Sequence, residues 1–197
     1  MSGVATARSA LLGAVEAVKG GARALDATDA ICAKGQGVAA RTSQRAGRAA
    51  VDRATGAVRN LPTLVANYRA SLSSLGKASP AVSGAARAAL ADVVRDGTLE
   101  AMAVGEFAHT VGSAWQQYAS LDGQQHIWIT RSVSGWYRST KEGADAYAVL
   151  VATGRRLLTV ARQQVAASSA ALQGPTSTEA ATLAAADRAL AATRAKH

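Results

Sequence analysis

Along most of this chain apolar residues return every three or four positions, the period of one face of an α-helix. Leu11, Leu12, Val15, Val18, Ala22 and Leu25 line such a face and predict a helix over about residues 5–31. Residues 36–60 predict a second, with Val38, Ala46, Ala50, Ala54 and Val58 on its apolar side and arginines on the other. Pro62 suits the first turn of a third helix, where its missing N–H goes unused. Leu61, Leu64, Val65, Tyr68, Leu72 and Leu75 are the stripe of that helix, and Gly76 ends it. Ser79-Pro80 opens a fourth, with Val82, Ala86, Ala89, Leu90, Val93 and Val94 facing inward and Asp96-Gly97 as a break or bend. The pattern resumes as Met102, Phe107, Val111, Ala114 and Tyr118, and Asp122-Gly123 signals a turn.

Residues 124–140 fit alternation as well as a helix. A lone strand would leave its backbone groups unpaired, so helix is the reading. Ser139-x-x-Glu142 and Thr176-x-x-Glu179 both have capping-box spacing. The first opens a helix through Tyr147, Val151, Leu158, Ala161, Val165 and Leu172, closed by Gly174-Pro175. The second opens a terminal helix with Leu183 and Leu190, so rich in Ala that it is expected to project or lie on a neighbour. The fold expected is therefore all-α: an irregular bundle of about six helices, with room for an extended terminal helix. Residues 1–60 read as an N-terminal helical arm carrying a basic segment, and residues 61–197 as the bundle.

Composition changes this picture in one respect. Hydrophobic residues make up 49% of the 197, but Phe, Trp and Tyr only 4%. Alanine buries about a third of the area of Leu or Phe, at roughly 25 cal/mol per Å². Either the helices pack closely, helped by glycines such as Gly13, Gly84, Gly105, Gly112 and Gly154, or apolar surface is covered by a partner.

Charge adds a second indication. The net charge is +9, which favours an anionic neighbour. Residues 33–60 carry Lys34, Arg41, Arg45, Arg48, Arg53 and Arg59 against Asp52 alone. Arg41, Arg45, Arg48 and Arg59 recur near helical spacing and form one candidate contact surface. The other is aromatic: Trp128, Trp136 and Tyr137, with Arg131 and Arg138, are of the types enriched in binding hot spots.

Candidate catalytic chemistry is sparse. Glu106 and His109 have the Glu-x-x-His spacing of di-iron bundles, but a full site needs a second such pair, and His126 and His197 lack the preceding acid. There is no Gly-x-Ser-x-Gly elbow, and Gly20-Gly21 and Gly35-Gln36-Gly37 are not followed by the Lys-Ser/Thr of a phosphate loop. Cys32 is the single cysteine, so no intrachain disulfide forms. No catalytic, cofactor or metal site is expected, and the chain does not read as an enzyme.

The longest stretch free of Asp, Glu, Lys and Arg is 163–178, too short and too polar to span a bilayer. Residues 1–15 lack acids and hold Arg8, which faintly suggests a mitochondrial presequence on an otherwise intracellular protein. The Ala, Gly and Val helices resemble those of granule-coating phasins and perilipin-like amphipathic proteins in composition. Val104-Gly105-Glu106-Phe107 is similar to the Gly-Glu segment in the membrane helix of mitochondrial ATP synthase subunit g. No residue role carries over from either resemblance.

The function expected is a structural or accessory subunit that docks into a larger multi-protein complex by helix packing. The alternatives are a peripheral lipid-surface binder with amphipathic helices and a sequence-independent nucleic-acid binder.

Overall fold

A computed structural model describes the backbone of residues 1–32, 38–82, 84–130 and 141–195. The described residues are almost wholly helical, with no strand among them. They form α1 (Ser2–Cys32), α2 (Val38–Ala78), a 3₁₀ turn (Ser79–Ala81), α3 (Gly84–Thr130) and α4 (Lys141–Arg194). The all-α expectation holds, but these helices are longer than predicted. They run to 31, 41, 47 and 54 residues, or about 45–80 Å at 1.5 Å per residue.

Continuity follows from the register of the core. In α2 the inward positions are Val51, Ala54, Val58, Leu61, Val65, Tyr68, Leu72 and Leu75, alternating steps of three and four without interruption. Pro62 falls on the exposed side of that stripe and lies inside α2 instead of opening a new helix. An interior proline costs about 3 kcal/mol, and burial of the in-phase residues on both sides outweighs it. The same logic carries α4 through Gly174-Pro175, because Leu158, Val165, Leu172, Glu179 and Ala186 are buried at intervals of seven. Asp96-Gly97 and Asp122-Gly123 likewise lie within α3. The boundary expected between residues 60 and 61 falls inside α2, and Val4, Leu11, Val15 and Val18 of α1 belong to the same core cluster as the residues beyond it.

Consecutive helices run antiparallel. Met1 lies by Leu75 and Ala78, whereas Gly21 meets Ala50 and Ala54 further up the pair. Gly97 packs on Leu72, and Gly112 on Val58. α1 packs on α2, α2 on α3 and α3 on α4, with a lighter contact closing α4 on α1. The result is an up-down-up-down four-helix bundle with heptad-spaced core positions.

Three further expectations are corrected. The terminal segment does not project: Ala186 is fully buried, and Leu183 and Leu190 pack on the core. Met102, expected inside, is 56% exposed, whereas Glu100 is 0% exposed and holds the interior position. The glycines that allow close approach are Gly21 and Gly97. A Cβ at Gly21 would lie 2.6 Å from Ala54 Cβ, and one at Gly97 2.7 Å from Leu72 Cδ2. Gly13 faces open space, and Gly84 starts α3 with φ of +63°.

Candidate functional site: a buried polar layer through all four helices

Within the described core, nearer one end than the other, each helix contributes one polar side chain to a single layer. Arg8 comes from α1, Tyr68 from α2, Glu100 from α3 and Glu179 from α4. All four occupy core positions of their heptads. Arg8 stands between Val4 and Leu11, Glu100 between Val93 and Phe107, and Glu179 between Leu172 and Ala186. Tyr68, Glu100 and Glu179 are fully buried, and only the Arg8 side chain reaches solvent, at 16%.

The contacts are closely matched. Arg8 Nε donates to Glu100 Oε2 at 2.8 Å, and Nη2 donates to Oε1 at 2.8 Å, the bidentate pairing of a guanidinium with a carboxylate. Nη2 also donates to the Thr176 carbonyl at 2.8 Å, which ties α1 to α4. Tyr68 Oη lies 3.0 Å from Glu100 Oε2 and 3.1 Å from Glu179 Oε1. Thr182 Oγ1 lies 3.1 Å from Glu179 Oε2. Gly97 makes the space, since a Cβ there would lie 2.9 Å from the Tyr68 hydroxyl oxygen.

Burial and charge set the protonation behaviour. Burial pushes the Tyr68 phenol well above its ordinary range, and the neighbouring charges of Glu100 and Glu179 push it further. Burial raises Glu179 from 4.5 to about 7, against the opposing hydrogen bonds from Thr182 and Tyr68. Burial works against the Arg8 charge, but the hydrogen bonds and charge of Glu100 outweigh it, and the guanidinium is held above its ordinary value. The layer thus holds a fixed ion pair and one carboxyl poised near neutrality.

Capping-box spacing led the sequence reading to place Glu179 at a helix start. In the fold, the Thr176 hydroxyl instead donates back to the Leu172 carbonyl at 2.7 Å, as a residue inside a helix does. The missed signal was available: Arg8, Glu100 and Glu179 are charges that interrupt heptad stripes of apolar residues. Arg8 also gives the acid-free segment 1–15 a structural role, because that segment is the first half of α1.

A second, mainly apolar layer lies further along the bundle. Trp115 is fully buried, and its Nε1 donates to Thr55 Oγ1 at 3.0 Å. Its ring packs edge-on to Tyr118, with ring centroids 6.1 Å apart. A cavity of about 480 Å³ lined by Met1, Leu75, Val82, Leu90 and Leu190 sits at the opposite end of the core.

The predicted contact residues are placed as follows. Arg59 is exposed on α2. Arg41, Arg45 and Arg48 belong to α2, with side chains outside the described ones. Trp128 belongs to α3 on the same terms, and Arg131, Trp136, Tyr137 and Arg138 lie outside the described residues. At 3.6 residues per turn, Arg41 and Lys77 stand about five whole turns before and after Arg59. Arg45 and Arg48 fall within about 40° of the same line. That line is opposite the face bearing Ala54, Leu61, Tyr68 and Leu75. Glu106 and His109 are both exposed on α3. Among the described residues, no helix is long and apolar enough to cross a membrane. The chain matches no known protein family, no curated protein and no solved structure.

Proposed function

We propose that this chain is a non-catalytic accessory subunit, a four-helix rod that presents the outward face of α2 to an acidic surface on a partner protein within a larger assembly. The observation that carries this reading is the register of α2. Seven basic residues against Asp52 alone give this one helix six of the nine net positive charges. Five of them, Arg41, Arg45, Arg48, Arg59 and Lys77, fall by register on one line of the helix, and Arg59 and Lys77, whose side chains are described, are exposed.

The shape and surface chemistry support a docking role. Helices of 31 to 54 residues present long continuous faces, which suits contact along a length. Thr63, Ala66, Ala70 and Ser74 accompany the cations on the exposed side of α2, too small to anchor in lipid. Among the described residues, the large apolar side chains that are exposed, Leu99, Met102, Val149 and Val160, lie on α3 and α4 instead.

The test is charge reversal. The full chain carrying Arg41→Glu, Arg45→Glu, Arg48→Glu and Arg59→Glu should keep its melting temperature and lose a partner that co-migrates with the wild type on a sizing column and is identified by mass spectrometry. Anionic-lipid-dependent sedimentation with phosphatidylserine vesicles would point to a lipid surface instead. DNA or RNA binding that falls steeply with salt would point to nucleic acid. Either result overturns the proposal.

A further inference from the structure

The polar layer contains a proton count that its geometry alone decides. A phenol has one hydrogen to donate, yet Tyr68 Oη is within hydrogen-bond distance of a carboxyl oxygen on each side, Glu100 Oε2 and Glu179 Oε1. Both contacts are full, two-centre hydrogen bonds only if one carboxyl brings its own proton and donates it to the phenol oxygen. Glu100 cannot be that carboxyl, because both of its oxygens accept from Arg8. Glu179 can.

Charge balance gives the same answer independently. With Glu179 protonated, the layer holds one guanidinium and one carboxylate and is neutral. With Glu179 ionised, two fully buried carboxylates share one guanidinium, an arrangement that desolvation disfavours. The groups facing Glu179 are Arg8 from α1, Tyr68 from α2 and Glu100 from α3. Asp96, one turn before Glu100, turns away to Arg95 Nε at 2.8 Å.

We propose that Glu179 carries a proton donated to Tyr68, and that this proton is a switch which locks the bundle when present and loosens the α2–α4 diagonal when lost. The contact it controls joins two helices that have no extensive packing with each other. The neutral carboxyl bridges them through the phenol. The carboxylate faces Glu100 across a hydroxyl that can serve only one of the two. The device is independent of what the outer face of α2 binds.

The experiment uses the full chain and the variant Glu179→Gln, whose amide can donate to Tyr68 Oη and accept from Thr182 at every pH. The wild-type urea midpoint should fall as pH rises from 5 to 8, and the variant should be flat over the same interval. Carboxyl ¹³C resonances of the wild type should show one glutamate titrating near 7 rather than in the ordinary carboxylate range. Amide exchange around Tyr68 and Glu179 should quicken about tenfold or more from pH 5.5 to 8, after correction for intrinsic exchange. A variant that keeps the wild-type slope overturns the proposal. So does a Glu179 resonance titrating between 4 and 5, a result that stands even if the variant fails to fold.

Discussion

Arg8 and Glu100, 92 positions apart, are joined by paired hydrogen bonds across the diagonal between α1 and α3. Neither helix packs extensively against the other, so this ion pair links elements that the neighbouring contacts leave apart. Setting the register in which neighbouring layers stack is the best-attested use of a polar residue at a heptad core position, and this pair occupies two such positions.

Breaking the pair from one side should be far more damaging than replacing it. Arg8→Met leaves the buried Glu100 charge without its partner and should cost about 3–5 kcal/mol. Arg8→Met with Glu100→Leu should recover most of that loss, because no uncompensated charge remains. Urea midpoints of the two single variants and the double variant check this. Additive losses would show that the pair is not coupled.

Two glycines in helix interiors should respond differently to alanine. At Gly13 the space is open, so Gly13→Ala should stabilise by about 1 kcal/mol through helix propensity. At Gly97 the new Cβ meets Leu72 Cδ2 at 2.7 Å and the Tyr68 hydroxyl oxygen at 2.9 Å. The Leu72 tip can rotate, but two carboxyl groups hold the hydroxyl in place. Overpacking of this kind costs about 1–3 kcal/mol, so Gly97→Ala should be neutral to destabilising. Melting temperatures distinguish the two.

Pro62 lies in the middle of α2 on its exposed side. It provides no N–H for the Val58 carbonyl one turn earlier and crowds that carbonyl. Pro62→Ala should therefore raise stability by about 1–3 kcal/mol, measured as a higher melting temperature with unchanged helical circular dichroism. Loss of helix signal would mean that the proline shapes the bundle.

Alkaline titration should single out Tyr68 among the four tyrosines. The unfolded chain ionises this phenol near 10.0, and burial beside Glu100 and Glu179 holds the folded value far above it. The unfolded state then binds fewer protons than the folded one at high pH. The stability this group contributes is complete below about pH 10 and declines as pH rises beyond it. Phenolate absorbance should show one tyrosine that ionises only as the helical signal is lost, whereas Tyr68→Phe should remove that late step.

Much of this was present in the order of residues. Period-3.6 patterning predicts the all-α class. Leu11, Val15, Val18, Ala22, Ala54, Val58, Leu61, Val65, Tyr68 and Leu72 are inward as it requires, because an apolar stripe has one favourable way to face a core. Val51 is inward although the pattern did not single it out, and Leu25, Val38 and Ala46 lie outside the described side chains. Helix ends were less legible. Pro62, Asp96-Gly97 and Gly174-Pro175 carry local stop signals worth a few kcal/mol at most, and in-phase burial on both sides overrides them.

The polar layer was the least legible part. Glu179 satisfies a capping rule locally, and Met102 is a better apolar residue than Glu100, so local chemistry points the wrong way at both positions. Arg8, Glu100 and Glu179 become favourable inside only when three other helices supply their partners. Amino-acid order determined which faces are apolar and that helices form. Tertiary structure decided where those helices stop and which charges go inside, because the energy of a buried polar group depends on neighbours far away in sequence.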